Sequence, residues 1–199
     1  MNFLAHACLS FNQPGLLVGN MISDFVKGKQ QFDYPPAIRR GIVLHRHIDQ
    51  FTDEHPATKE AKEFYRPIYR LYSGAFIDVV YDHFLANDPN EFTDSTLNAF
   101  AQQTYTTLQQ EYEHLPAGFA GMLPYMKRDN WLYNYRTIDG IGKSMGGLVR
   151  RSAYLNDSAP GLVILQNNYE TLKALYTVFW ADVKTFAHLQ QLQLQKSIS

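Results

Sequence analysis

The sequence predicts an all-α, single-domain helical bundle over residues 1–199. Three observations carry that expectation. Apolar residues recur at helical spacing, as at positions 68, 71, 72, 75, 76, 79, 80 and 84. No alternating apolar and polar run longer than a few residues marks a strand. Pro and Gly fall where helices should begin and end.

The elements follow in order. Residues 14–29, PGLLVGNMISDFVKGK, open on Pro14 and Gly15 and close near Gly28. The segment YPPAIRRGIVLHRHIDQFTDEHP places Pro36 in a first turn and stops before Pro56. RPIYRLYSGAFIDVVYDHFLANDP reads as one helix ending at Asn87, before Pro89. FTDSTLNAFAQQTYTTLQQEYEHLP starts on an Asp or Ser cap and stops at Pro116. Helical stretches then cover 118–136 and 137–153, and a long final helix follows Pro160 and Gly161. Its Gln-rich end, LQQLQLQKSIS, is expected to fray. The G-x-G at 140–142 follows no strand and is not read as a nucleotide loop.

Composition narrows the function. A chain of 199 residues with 45% apolar content, 13 Tyr and 13 Phe can bury a core and is not globally disordered. A net charge of −1 supplies no overall field for nucleic acid or an anionic membrane. Cys8 is the only cysteine, which excludes an internal disulfide and a Cys-rich zinc site. The first residues lack a basic n-region, and no apolar run reaches transmembrane length, so the expected home is the cytoplasm.

The polar residues inside apolar helices point to chemistry. At about 100° per residue, His45 and Asp49 lie about 40° apart, on the side of Ile38, Ile42 and Ile48. His47 lies about 160° from Asp49 and points elsewhere. Asp78 and Asp82 repeat the four-residue spacing at the edge of an apolar stripe. There two carboxylates repel unless solvated, paired or bridged by a cation. His83 follows about 100° further round. Asp24 is a lone acid in LLVGNMISDFV, and His6 a lone imidazole in NFLAHACL. Each alone also fits a bland role: a helix-surface pair, a core histidine, or a buried ion-pair partner. Their coincidence favours a divalent metal site. Imidazole and carboxylate without thiolate suit Mn²⁺, Mg²⁺, Fe²⁺ or Zn²⁺. Such an ion serves hydrolysis, because it lowers the pKa of water and offsets phosphoryl charge.

Five segments in order, MNFLAHACLS, GNMISDFVKG, YPPAIRRGIVLHRHIDQFTDEHP, IDVVYDHFLA and NWLYNYRTIDGIGKSMGGLVRR, resemble the acyl carrier protein phosphodiesterase family, a divergent relative of the HD-type metal phosphohydrolases. The resemblance implies an HD-domain-like helical fold and a metal-dependent hydrolase, with Mn²⁺ as the expected ion. It implies holo acyl carrier protein as substrate. The implied reaction cleaves the phosphodiester between 4′-phosphopantetheine and a carrier serine. The functional positions carried over are Asp24, His45, Asp49, Asp78, Asp82 and His83, with His6 joining them. The chain lacks the consecutive His-Asp of the wider HD group, and YDHF has the reverse order.

Within that resemblance, His45, Asp49, Asp78 and Asp82 are the expected metal ligands. Asp24, His6 and His83 are the expected catalytic groups, with His83 donating a proton to the leaving serine. Acyl carrier proteins are acidic as a class, so a local basic patch is expected. Lys27, Arg39, Arg40 and Arg46 are its first candidates. Lys29, Arg66, Arg70, Lys127, Arg128, Arg150 and Arg151 extend the set, and Trp131, Tyr133 and Tyr135 are available to a pantetheine arm. Two alternatives stand beside this reading: a phosphohydrolase for a nucleotide or other small phosphoester, and a non-catalytic helical module that binds the carrier.

Overall fold

A computed structural model describes residues 1–197. Among these residues it contains α-helices and short 3₁₀ turns and no strand. The eleven helices are α1 (Phe3–Cys8), α2 (Pro14–Ile22), α3 (Pro36–Glu54), α4 (Pro56–Tyr69), α5 (Ser73–Ala86), α6 (Asp94–Gln110), α7 (Ala117–Arg128), α8 (Trp131–Asn134), α9 (Ile138–Arg151), α10 (Ala159–Asn167) and α11 (Tyr169–Ser197).

Helices α2 and α3 pack most intimately, and glycine is the reason. A Cβ on Gly19 would sit 2.8 Å from the Gly41 Cα and collide with the Ile38 carbonyl oxygen. A Cβ on Gly41 would collide with the Leu16 carbonyl oxygen. The two backbones therefore touch at these positions. Around them Leu16, Leu17, Ile38, Ile42, Leu44 and Ile48 are buried in a core that also takes in α1, α5 and α11.

Three expected helices are divided. The stretch read as one helix over 66–87 is two: Tyr69 ends α4, a 3₁₀ turn covers Arg70–Tyr72, and α5 begins at Ser73. Arg70 makes the break with φ +49° and ψ −118°, where an L side chain is strained. Asn130, in the left-handed region, separates α7 from α8. A break at Asn168 separates α10 from α11. The Gln-rich end is helical through Ser197 rather than frayed. Residues 198 and 199 of that stretch lie outside the described residues. Helix α2 ends at Ile22, so Asp24 sits in the 3₁₀ turn Ser23–Phe25 and not on a helix.

One local and one long-range cap fix the short α1. The Asn2 side chain accepts from the Phe3 N–H at 3.0 Å. The two Asp82 carboxylate oxygens accept the N–H groups of Leu4 and Ala5, at 2.8 and 3.1 Å. A carboxylate at a helix N-terminus satisfies donors that have no partner inside the helix. No described helix is long and apolar enough to cross a membrane.

Candidate metal centre

His6 on α1 and His45 on α3 stack face to face, with ring centroids 3.9 Å apart and planes 16° apart. Both rings are buried. Asn20, at the end of α2, orients both. Its side-chain nitrogen donates to the His6 carbonyl oxygen and to Ser10 Oγ, so its Oδ1 faces His6 Nδ1, at 2.8 Å. Its backbone carbonyl oxygen lies 2.7 Å from His45 Nδ1. Two acceptors on the two Nδ1 atoms require an N–H at each. In the neutral rings, both Nε2 atoms then present lone pairs.

Both Nε2 atoms converge on Asp49. His6 Nε2 lies 3.1 Å from Asp49 Oδ1, and His45 Nε2 lies 3.0 Å from Asp49 Oδ2. Asp24 Oδ1 lies 3.2 Å from His45 Nε2. The His6 contact has ion-pair distance without hydrogen-bond geometry, so this buried nitrogen has no hydrogen-bond partner. A nitrogen lone pair facing a carboxylate at this distance calls for a cation between them. Adjacent donors on an octahedral ion, each about 2.1 Å from it, lie about 3 Å apart, which matches these spacings. The donor atoms of His6, His45 and Asp49 all fall within 4.8 Å of one another. In this structure a positive group already answers the carboxylates: the Met1 α-ammonium is 3.2 Å from Asp49 Oδ1 and 3.2 Å from Asp78 Oδ1. The residues present fit a divalent metal.

Electrostatics divide the two histidines. Burial, with the His45 charge beside it, lowers the His6 pKa to about 4, so His6 is neutral near pH 7. Burial works against a charge on His45 as well, but the hydrogen bonds its Nε2–H donates to Asp24 and Asp49 outweigh it and raise the pKa to about 9. Burial also opposes charge on Asp49. The Met1 ammonium, His6 and His45 overcome it and hold the carboxyl far below the usual carboxylate range. Asp24 is lowered by its hydrogen bond from His45. Its side chain is 72% exposed, against 40% for Asp49, so Asp24 forms the solvent rim of the cluster.

The other expected site residues fall in different places. Asp78 borders the cluster through the Met1 ammonium, and burial raises its pKa. Asp82 turns its oxygens to the α1 backbone rather than to the imidazoles, and burial raises its pKa to about 7. His83 is directed away: Nδ1 donates to the Tyr135 carbonyl oxygen at 2.7 Å, and Nε2 meets the Tyr169 hydroxyl at 3.1 Å. His47 pairs with Gln190 on α11, at 2.8 Å.

Among the basic candidates, Arg46 is committed to the loop after α2, through Gln31 Oε1 and the Val26 carbonyl oxygen, each at 3.0 Å. Arg39 lies over the Phe32 ring. Arg40 is half-buried, and Lys27 is exposed. His55, between α3 and α4, is buried. It caps α4 by accepting the Ala57 N–H and meets Asp182 at 3.1 Å.

Sequence reasoning missed Asn20, which sets both imidazole tautomers. Its signal was present: a polar amide in the apolar run LLVGNMI, four residues before Asp24.

A family profile described as acyl carrier protein phosphodiesterase matches residues 1–183. A protein of Yersinia pestis named acyl carrier protein phosphodiesterase is 33% identical over 193 residues, covering 96% of this chain and all of that protein. A protein of the same name from Klebsiella pneumoniae is 32% identical with the same coverage. One from Salmonella paratyphi A is 32% identical over 181 residues, covering 90% of this chain and 94% of that protein. No solved structure matches the chain, so the expected HD-like kinship finds no match there. A profile spanning nearly the whole chain and relatives aligned end to end place the buried His-Asp cluster in a known lineage: the chain belongs to the acyl carrier protein phosphodiesterase family.

Proposed function

We propose that the chain, as one helical domain, hydrolyses the phosphodiester joining 4′-phosphopantetheine to a serine of holo acyl carrier protein. Water adds to phosphorus, the bond from phosphorus to the serine oxygen breaks, and that oxygen takes a proton. The products are apo-carrier and 4′-phosphopantetheine. Membership of the family supports the substrate. One observation carries the chemistry: two stacked imidazoles, each held at Nδ1 by Asn20, aim their Nε2 atoms at one carboxylate.

In this reading His6, His45 and Asp49 would hold a divalent ion, with Asp24 at its rim. The donor set of imidazole and carboxylate without thiolate supports Mn²⁺, with Mg²⁺ and Fe²⁺ in the same class. Such an ion, when bound, lowers the pKa of water and offsets phosphodiester charge. Asp24, ionised and exposed, is the group placed to orient the attacking water and accept its proton. Asp82 acts through α1, holding the helix that carries His6. His83, bonded to Tyr135 and Tyr169, is a structural residue here and not the proton donor.

The test is intact-mass spectrometry of holo acyl carrier protein incubated with the protein, in Mn²⁺ and in excess EDTA. The expected outcome is metal-dependent loss of the whole phosphopantetheine group. An unchanged carrier in both arms, with folded protein, overturns this substrate. Turnover of nucleotides in its place would support the small-phosphoester alternative.

A further inference from the structure

A groove of about 600 Å³ runs between the second half of α4 and the start of α5. One of its lining residues is Asp78, which meets the same Met1 ammonium as Asp49 of the cluster. Lys62, Arg66 and Arg70 line it too, beside Asp53. These three are spaced four residues apart, so they follow one face of α4 and its end. Lys62 is tied to Asp53 at 2.7 Å. Arg66 has only a surface pair with Glu63, in which both side chains are about 60% exposed. Such a pair contributes little and gives way readily.

Leu71 also lines the groove and is 98% exposed, the most exposed large apolar side chain among the described residues. Ile68 beside it is 52% exposed. A lone exposed apolar side chain needs no account. This one follows Arg70, whose backbone is held at φ +49° and ψ −118°. An L side chain is strained in that backbone region. The strained turn sends Arg70 and Leu71 outward between two helices. Cations, an exposed leucine and a wall shared with the metal centre occur together here and suit an acidic protein surface with an apolar spot.

We propose that this groove is the docking surface for the carrier protein, with Arg66 and Arg70 meeting its acidic side chains and Leu71 seated among them. The proposal rests on the carrier being the substrate. Docking here delivers the modified serine to the Asp78 end of the groove, beside the cluster.

The experiment is fluorescence anisotropy of labelled holo acyl carrier protein titrated with the full chain, beside mass-spectrometric turnover of the same samples. Arg66→Glu with Arg70→Glu should weaken binding at least about tenfold. Leu71→Ser, at a site too exposed to unfold the chain, should weaken it about threefold. Lys173→Glu with Lys196→Glu makes the same change of net charge on the exposed side of α11 and should leave the Kd within about twofold. Raising salt should weaken wild-type binding.

If the Arg66/Arg70 and Leu71 variants bind as the control does, the docking site is overturned, even while wild type turns the carrier over. If wild type binds, the reversal abolishes binding, and no group is released, the docking site stands and the proposed reaction falls. Wild type that neither binds nor acts on the carrier overturns both.

Discussion

Gly19 of α2 and Gly41 of α3 meet with no side chain between them, and this contact sets the geometry of the His6, His45 and Asp49 cluster. Asn20 follows Gly19, and His45 lies one turn beyond Gly41. Backbone contact at the glycines therefore brings the Asn20 carbonyl oxygen to 2.7 Å from His45 Nδ1. Gly41→Ala places a Cβ against the Leu16 carbonyl oxygen, a backbone atom that cannot step aside alone. Overpacking of this kind costs about 1–3 kcal/mol. The expected outcome is a lower thermal midpoint together with weaker Mn²⁺ binding, read by calorimetry. Unchanged metal affinity would mean that the glycine contact does not position His45.

Asn20 links α1, α2 and α3 through one side chain and one carbonyl group. Asn20→Ala leaves the His6 Nδ1–H buried without an acceptor and frees the ring to turn. Loss of such a supporting hydrogen bond weakens metal binding about 10- to 100-fold. Circular dichroism should show the helices retained while Mn²⁺ affinity falls within that range. Full affinity in the variant would remove Asn20 from the account of the site.

How much of this was legible in the sequence depends on the range of each contact. His45 and Asp49 share one helix face, so periodicity alone placed them together. Their burial follows from Ile38, Ile42 and Ile48 on the same side. His47 was separated from them by the same periodicity, about 160° round the helix. The all-α class was legible for the same reason. Asp82 was read as a second ligand of that kind, but its partners are the Leu4 and Ala5 N–H groups, 78 and 77 residues away. No spacing rule reports a cap made at that distance. His83 likewise finds its partners at Tyr135 and Tyr169, on later elements. The break at Arg70 was hidden because a positive φ usually announces itself as Gly or Asn, and here it falls on an arginine.

Arg70 allows stability and carrier binding to be separated. Arg70→Gly relieves a backbone that an L side chain rarely adopts, and it deletes one proposed docking cation. The expected result is a gain in stability of about 1 kcal/mol by urea unfolding, with weaker binding of the carrier. A variant that gains stability and binds the carrier as wild type does would leave Arg70 a structural turn only.

Cys8 on α1 gives a test in pH. Burial raises its pKa to about 12, with Glu91 adding to the effect and Lys184 opposing it. A thiol raised in the folded state favours the protonated form. That preference contributes stability in full below the ordinary thiol pKa of 9 and loses it as pH climbs from about 9 to 12. At pH 8 the folded chain should hold far less thiolate than an ordinary thiol. A disulfide reagent should therefore label Cys8 slowly in buffer and rapidly in concentrated urea. Rapid labelling in buffer would show that α1 opens easily, and with it the anchor of His6.

Asp49 and His83 were both expected in the site, and the structure gives them different partners. Asp49 receives the Nε2 atoms of both imidazoles. Asp49→Ala should abolish detectable Mn²⁺ binding and turnover. It also removes the anion opposite His45 and the Met1 ammonium, so the thermal midpoint of the metal-free protein is measured beside it. His83 is buried against the Tyr135 carbonyl oxygen and the Tyr169 hydroxyl. His83→Ala leaves those groups without their partner, at a cost of about 1–3 kcal/mol. Its expected signature is a lower midpoint with Mn²⁺ affinity close to wild type. If His83→Ala instead keeps its midpoint and loses turnover, His83 returns to the chemistry as the proton donor. That result would require Tyr169 to release it when substrate binds.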